Sequence, residues 1–107
     1  MPDGYLSLSA AAILQAVDAG FVYGFDIMDA TGLPSGTVYP ALRRMEAAGL
    51  ITSRWESAER AQRDQRPARK YYELTPSGQA QRKAASQRYR LAEPRKSRAA
   101  RPATAPR

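Results

Sequence analysis

The chain contains no cysteine and no histidine among its 107 residues. Their absence removes disulfides, thiolate nucleophiles, imidazole bases and the usual zinc ligands together. A cysteine-free chain also fits a reducing compartment. No apolar run approaches the roughly 18 residues that a membrane span needs, so no membrane partner is expected. The opening Met1-Pro2-Asp3-Gly4 has no basic stretch, so a signal peptide is not expected there. Large aromatic rings are few, with two phenylalanines and one tryptophan beside six tyrosines. At 107 residues the expectation is one domain, for which a shared core with a second copy would add burial.

Charge is present, and its placement is uneven. Residues 1–53 carry Arg43 and Arg44 against Asp3, Asp18, Asp26, Asp29 and Glu46, a net of −3. Residues 54–107 carry 15 basic and 5 acidic side chains, a net of +10. A polyanionic partner is therefore expected mainly on the second half. A merely solubilising surface is the alternative.

Hydrophobic spacing organises the first half. Ser7-Leu8-Ser9 offers capping serines, and residues 10–19 follow with Ile13, Leu14 and Val17 at helical intervals before Gly20. A short second helix is predicted over 25–30, with Ile27 and Met28 inward and Thr31-Gly32 ending it. After the turn Leu33-Pro34-Ser35-Gly36, a third helix runs to about Ala48, with Ser35 as its expected cap. Val38, Leu42 and Met45 share one face there, with Ala41 beside them, and Gly36, Pro40, Arg43 and Ala47 lie opposite. Pro40 deletes one helical hydrogen bond and should loosen the first turn.

From Leu50 the period changes to two. Ile51, Ser53 and Trp55 alternate with Thr52, Arg54 and Glu56, and 69–75 resumes an extended pattern with Tyr72 and Leu74 on one face. Trp55 is expected to cover apolar surface beside Ile51, and Tyr72 to be core. Residues 57–68 are expected to form a long polar loop between the two strands. Thr75-Pro76 begins a fourth helix, a hydroxyl cap followed by proline, which can run to about Glu93. Residues 94–107 hold five basic side chains, three prolines and otherwise nothing apolar larger than alanine, and are expected to be a disordered basic tail.

The order helix, helix, helix, hairpin, helix is that of a winged helix-turn-helix, an α+β and mainly α fold. Such a domain inserts its third helix into a major groove and lays the hairpin wing alongside. The stretches Tyr23-Gly24-Phe25-Asp26-Ile27, Ser35 to Glu46 and Gly49-Leu50-Ile51 are similar to the signature of the PadR family. Arg69-Lys70-Tyr71-Tyr72-Glu73-Leu74-Thr75, with Gly78 after it, is similar to that family's second wing strand and following helix. The resemblance spans about residues 6–80. It implies a dimeric repressor of transcription in the cytoplasm, associated with the nucleoid. Gly36, Thr37, Tyr39 and Arg43 would then lie near double-stranded DNA, the first and last helices would make a homodimer, and a small-molecule effector would release it.

The expected division is a DNA-binding domain over 1–75, a dimerisation helix over 76–93 and the tail over 94–107. Candidate DNA contacts are Ser35, Gly36, Thr37, Tyr39, Pro40 and Arg43 on the third helix, with Arg60, Arg63, Arg66, Arg69 and Lys70 on the wing. A solvated polar face is the plainer alternative for each set. Arg44 is expected to pair with a nearby carboxylate. Candidate dimer contacts are Leu8, Ile13, Ala84, Tyr89 and Leu91. Asp26 and Asp29, three apart, fit helix-end electrostatics better than catalysis, so neither an enzyme nor a cofactor is expected. A winged helix used for protein assembly would carry an apolar third-helix face, and an RNA-binding accessory module would need only the basic tail; both remain open as alternatives.

Overall fold

The computed structural model describes residues 6–92. Three helices come first: α1 over Leu8–Asp18, α2 over Gly24–Thr31 and α3 over Ser35–Ala47. The Ser7 hydroxyl accepts a hydrogen bond from the Ala10 amide at 3.1 Å and starts α1. Gly32, in the left-handed region at φ 73°, ends α2. Ser35 is the first residue of α3 and not its cap. Pro34 holds the extended cap position, and its carbonyl accepts from the Thr37 and Val38 amides.

The strands β1 (Ile51–Trp55) and β2 (Lys70–Leu74) pair antiparallel, with Ile51 opposite Leu74 and Trp55 opposite Lys70. The segment before α2 adds a third edge, since the Tyr72 amide donates to the Val22 carbonyl at 3.0 Å and Tyr23 bridges Tyr71. Beneath this sheet Ile13, Leu14 and Val17 of α1 meet Ile27, Val38, Leu42, Met45, Ile51, Tyr71 and Tyr72 in one core. The architecture is a winged helix, mainly helical with a two-stranded wing. Among the described residues no helix is long and apolar enough to cross a membrane.

Residues 57–68 are not a structureless loop. A short helix, α4 over Ala58–Arg63, is capped by Ser57 and anchored by Ala61, which is 4% exposed. The local helix signal of Ser57 followed by Ala, Glu, Arg and Gln outweighs the lack of large apolar groups. The last helix, α5, covers Pro76–Arg88 and stops short of Glu93. Its end folds back: Arg90 is left-handed at φ 55°, the Leu91 amide reaches the Ser86 carbonyl at 2.8 Å, and the Ser86 hydroxyl donates to the Leu91 carbonyl. The basic tail expected over 94–107 lies outside the described residues.

α5 docks on α1 through polar atoms. Arg82, 4% exposed, reaches Asp18 at 3.4 Å and Gln15 at 3.3 Å, and the Gln79 amide donates to Asp18 at 2.9 Å. Burial of this arginine is tolerable because its donors are taken up. Thr75 caps α5 by accepting from the Gly78 amide, and donates its own proton back to the Gly49–Leu50 turn, 2.7 Å from the Gly49 carbonyl. Gly78 presses so closely on the Leu50 carbonyl that any Cβ there would collide with its oxygen.

Ile13 belongs to the protomer core with no exposed surface, so its expected place in a dimer contact is corrected. Tyr89 and Leu91 are half-buried within the protomer, and the Tyr89 hydroxyl donates to the Leu6 carbonyl at 2.5 Å. Leu8, 56% exposed, and the exposed Ala84 stay available at the surface.

The Gly78 approach makes a direct prediction. Gly78→Ala must push α5 off the β1 entry and lower unfolding free energy by about 3 kcal/mol. Urea unfolding reads this, and an unchanged midpoint contradicts the packing described.

Candidate nucleic-acid interface

Burial of Val38, Ala41, Leu42 and Met45 turns the opposite side of α3 outward. Ser35, Gly36 and Arg43 are exposed on it, Tyr39 is 38% exposed, and Thr37 and Pro40 are half-buried. The third-helix candidates therefore share one accessible strip. Tyr39 leans back across Gly24, where a Cβ would overlap its ring, so that glycine lets α2 and the strip approach closely. Glu46 on the last turn accepts from the Ser53 hydroxyl at 2.7 Å, which ties α3 to β1 and fixes the strip against the wing. Arg44 is exposed and makes no ion pair among the described residues, contrary to its expected carboxylate partner.

The wing is organised around a residue that alternation places on the solvent side. Glu56 is 4% exposed overall, and its carboxylate is fully enclosed. The Arg66 guanidinium grips both of its oxygens, one at 2.8 Å, while a further contact at 3.0 Å goes to Asp64. Arg60 lies 3.6 Å and Arg69 3.7 Å from the same carboxylate, and the Arg69 amide donates to it at 3.3 Å. The Arg66 contacts hold the Glu56 carboxyl well below its ordinary value, at about 2. Arg66 is thus committed to carboxylates, which corrects its expected place among the phosphate contacts. Arg60 and Arg69 are shared between this cluster and solvent, whereas Arg63 points outward from α4.

Trp55 does not cover the core; it is 67% exposed at the far end of β1. Tyr71 and Tyr72 are both buried, and the Val22–Tyr23 segment pairs along the edge of β2. Tyr71 meets the Tyr23 ring edge-on at 6.2 Å, and the Arg69 guanidinium lies 3.8 Å over the other side of Tyr23. Burial raises the Tyr72 hydroxyl, which therefore stays neutral beneath the strip. Among the described residues no cluster of acidic side chains could hold a metal ion.

Taken together, a hydrophilic helix strip lies beside a latched cationic wing, with no acidic group on the strip between Ser35 and Arg43. The model of the transcriptional regulator PadR-like family matches residues 13–84. A PadR family transcription regulator from Clostridium difficile R20291 is similar at 28% identity and a TM-score of 0.68, over 79% of this chain and 90% of that one. A PadR-like transcriptional regulator from Bacillus cereus is similar at 26% identity and a TM-score of 0.62, over 77% and 81%. No curated protein matches the chain.

The Glu56 latch has a pH signature. A carboxyl lowered from 4.5 to about 2 stabilises the fold fully above its unfolded value and loses that contribution as pH falls toward 2. Glu56→Gln should cost about 2 kcal/mol at neutral pH and flatten the acid limb of the stability curve. Urea unfolding across that acid range checks it; parallel curves for wild type and variant contradict the latch.

Proposed function

Because the chain belongs to the PadR-like family of transcriptional regulators, we propose that it represses transcription as a homodimer gripping a near-palindromic operator. DNA-binding regulation of transcription is what that membership carries; the dimer, the repression and the residues are our reading. The observation behind it is the exposed strip from Ser35 to Arg43 standing beside the wing cations. Each protomer places α3 in a major groove, and the two half-sites lie about one helical turn, roughly 34–36 Å, apart. Gly36 lets the backbone approach, Ser35 and Thr37 meet phosphates or base edges at the helix start, and Arg43 reads a base.

Affinity comes largely from Arg63, Lys70 and the exposed part of Arg60 and Arg69 on the wing, with the five basic residues of 94–107 adding to it. Leu8 and Ala84 are exposed on the packed helices α1 and α5 and so are open to a second copy, which supports a dimer built on those helices. Occupying a promoter, such a dimer keeps polymerase away, and an effector that loosens it restores transcription. The hydrophilic strip speaks against a protein-assembly role, which would favour apolar groups there.

Arg43→Ala should weaken binding to a selected operator by about tenfold or more while changing random-duplex binding little. Fluorescence polarisation against both duplexes measures the ratio. An equal loss on the two removes base reading from Arg43. Deleting 94–107 should weaken all duplexes alike and flatten the salt dependence by about one log–log unit for each phosphate left unneutralised; an unchanged slope takes the tail out of binding.

A further inference from the structure

Between the start of α2, the outer strip of α3 and the wing lies a cleft of about 520 Å3. Two of its lining side chains are large and uncovered, Phe25 at 74% and Trp55 at 67% exposure. Water-exposed rings of this size on one concavity mark a surface that something else covers. Arg43, Arg69 and Lys70 line the same cleft, against Asp26 as its one carboxylate. Lys70 stands directly opposite Trp55 in the strand register, its ammonium 5.8 Å from the ring. Rings and cations therefore line a single groove together.

A sugar–phosphate strand offers partners for both. Each deoxyribose offers an apolar face and each phosphate an anion. A helix in the major groove and a wing in the adjoining minor groove leave one such strand running between them. Resting on the DNA-binding function proposed above, we infer that this cleft seats that strand. Trp55 and Phe25 cover deoxyribose faces on its two sides, and Lys70 takes a phosphate. Both rings are then DNA-contact residues that sense the backbone, distinct from the base-reading strip. The exposed Trp55, at odds with a structural role in the core, is accounted for by an occupant that is absent from the free protein.

Trp55 is the chain's one tryptophan, so its emission reports on this cleft alone. The full chain is titrated with a random-sequence duplex of about three helical turns at low salt, following tryptophan emission and the polarisation of the labelled duplex in parallel. Emission is expected to shift and saturate with the polarisation. Trp55→Ala is expected to weaken binding about tenfold at an unchanged salt slope, and Phe25→Ala to act in the same sense. Lys70→Ala is expected to flatten the slope by about one unit. Circular dichroism should be unchanged in all three, since the altered groups lie at the surface. Emission that stays constant while polarisation saturates, or wild-type affinity in both ring variants, overturns the inference while leaving DNA binding intact. A wild-type chain that binds no duplex at low salt overturns both.

Discussion

Val38, Ala41, Leu42 and Met45 can enter the core together in only one rotation of α3, and that rotation decides what the opposite strip offers to solvent. Everything functional here follows from it. The buried stripe meets Ile27 and Ile51, the Glu46–Ser53 hydrogen bond sets the helix against β1, and the strip from Ser35 to Arg43 is left facing the same side as the wing. The strip carries no acidic residue, although the first half of the chain is acidic overall, because among the described residues Asp18 sits on α1, Asp26 and Asp29 on α2 and Glu46 at the end of α3.

The wing solves a second problem with charge instead of apolar area. A twelve-residue insertion with one buried alanine has little hydrophobic reason to adopt a single conformation. Glu56 supplies the reason, enclosed and gripped by Arg66 with Arg60 and Arg69 nearby. Enclosing a carboxylate is costly, and the two-point guanidinium contact offsets that cost only while both partners are present. One basic residue is consumed as structure so that its neighbours are held in fixed positions. The count of arginines on the wing therefore overstates the number free to meet an anion.

Much of this is legible in the sequence, and the parts that are not have two causes. Helical spacing places α1, α2 and α3, alternation places both strands, and Thr75-Pro76 marks the start of α5, because each of those signals is local. The similarity from Tyr23 to Gly78 points to the family that the matching model establishes. The misses at Glu56, Trp55 and Ile13 depend on tertiary closure, and those at α4 and Arg90 on weak local signals. Glu56 reads as an outward strand residue until the chain after it folds back onto it. Trp55 reads as a core ring until the folded chain leaves it open on a cleft. α4 is hidden by its poverty in large apolar groups. α5 ends early through a left-handed Arg90, a position where a glycine or asparagine would have announced the stop. Ile13 reads as a dimer-face residue because helical periodicity cannot say which of two partners a buried stripe meets.

Two sets of exposed residues are thus left, Leu8 and Ala84 on the packed helices α1 and α5, and the strip with its wing. The second of these is where duplex DNA is proposed to sit. Backbone amide chemical-shift mapping of the isotope-labelled chain with an added duplex is the decisive experiment. Perturbations should concentrate at residues 35–43 and at 54–56 and 69–70 of the wing. Shifts confined to α1 and α5, with the strip silent, would overturn that placement.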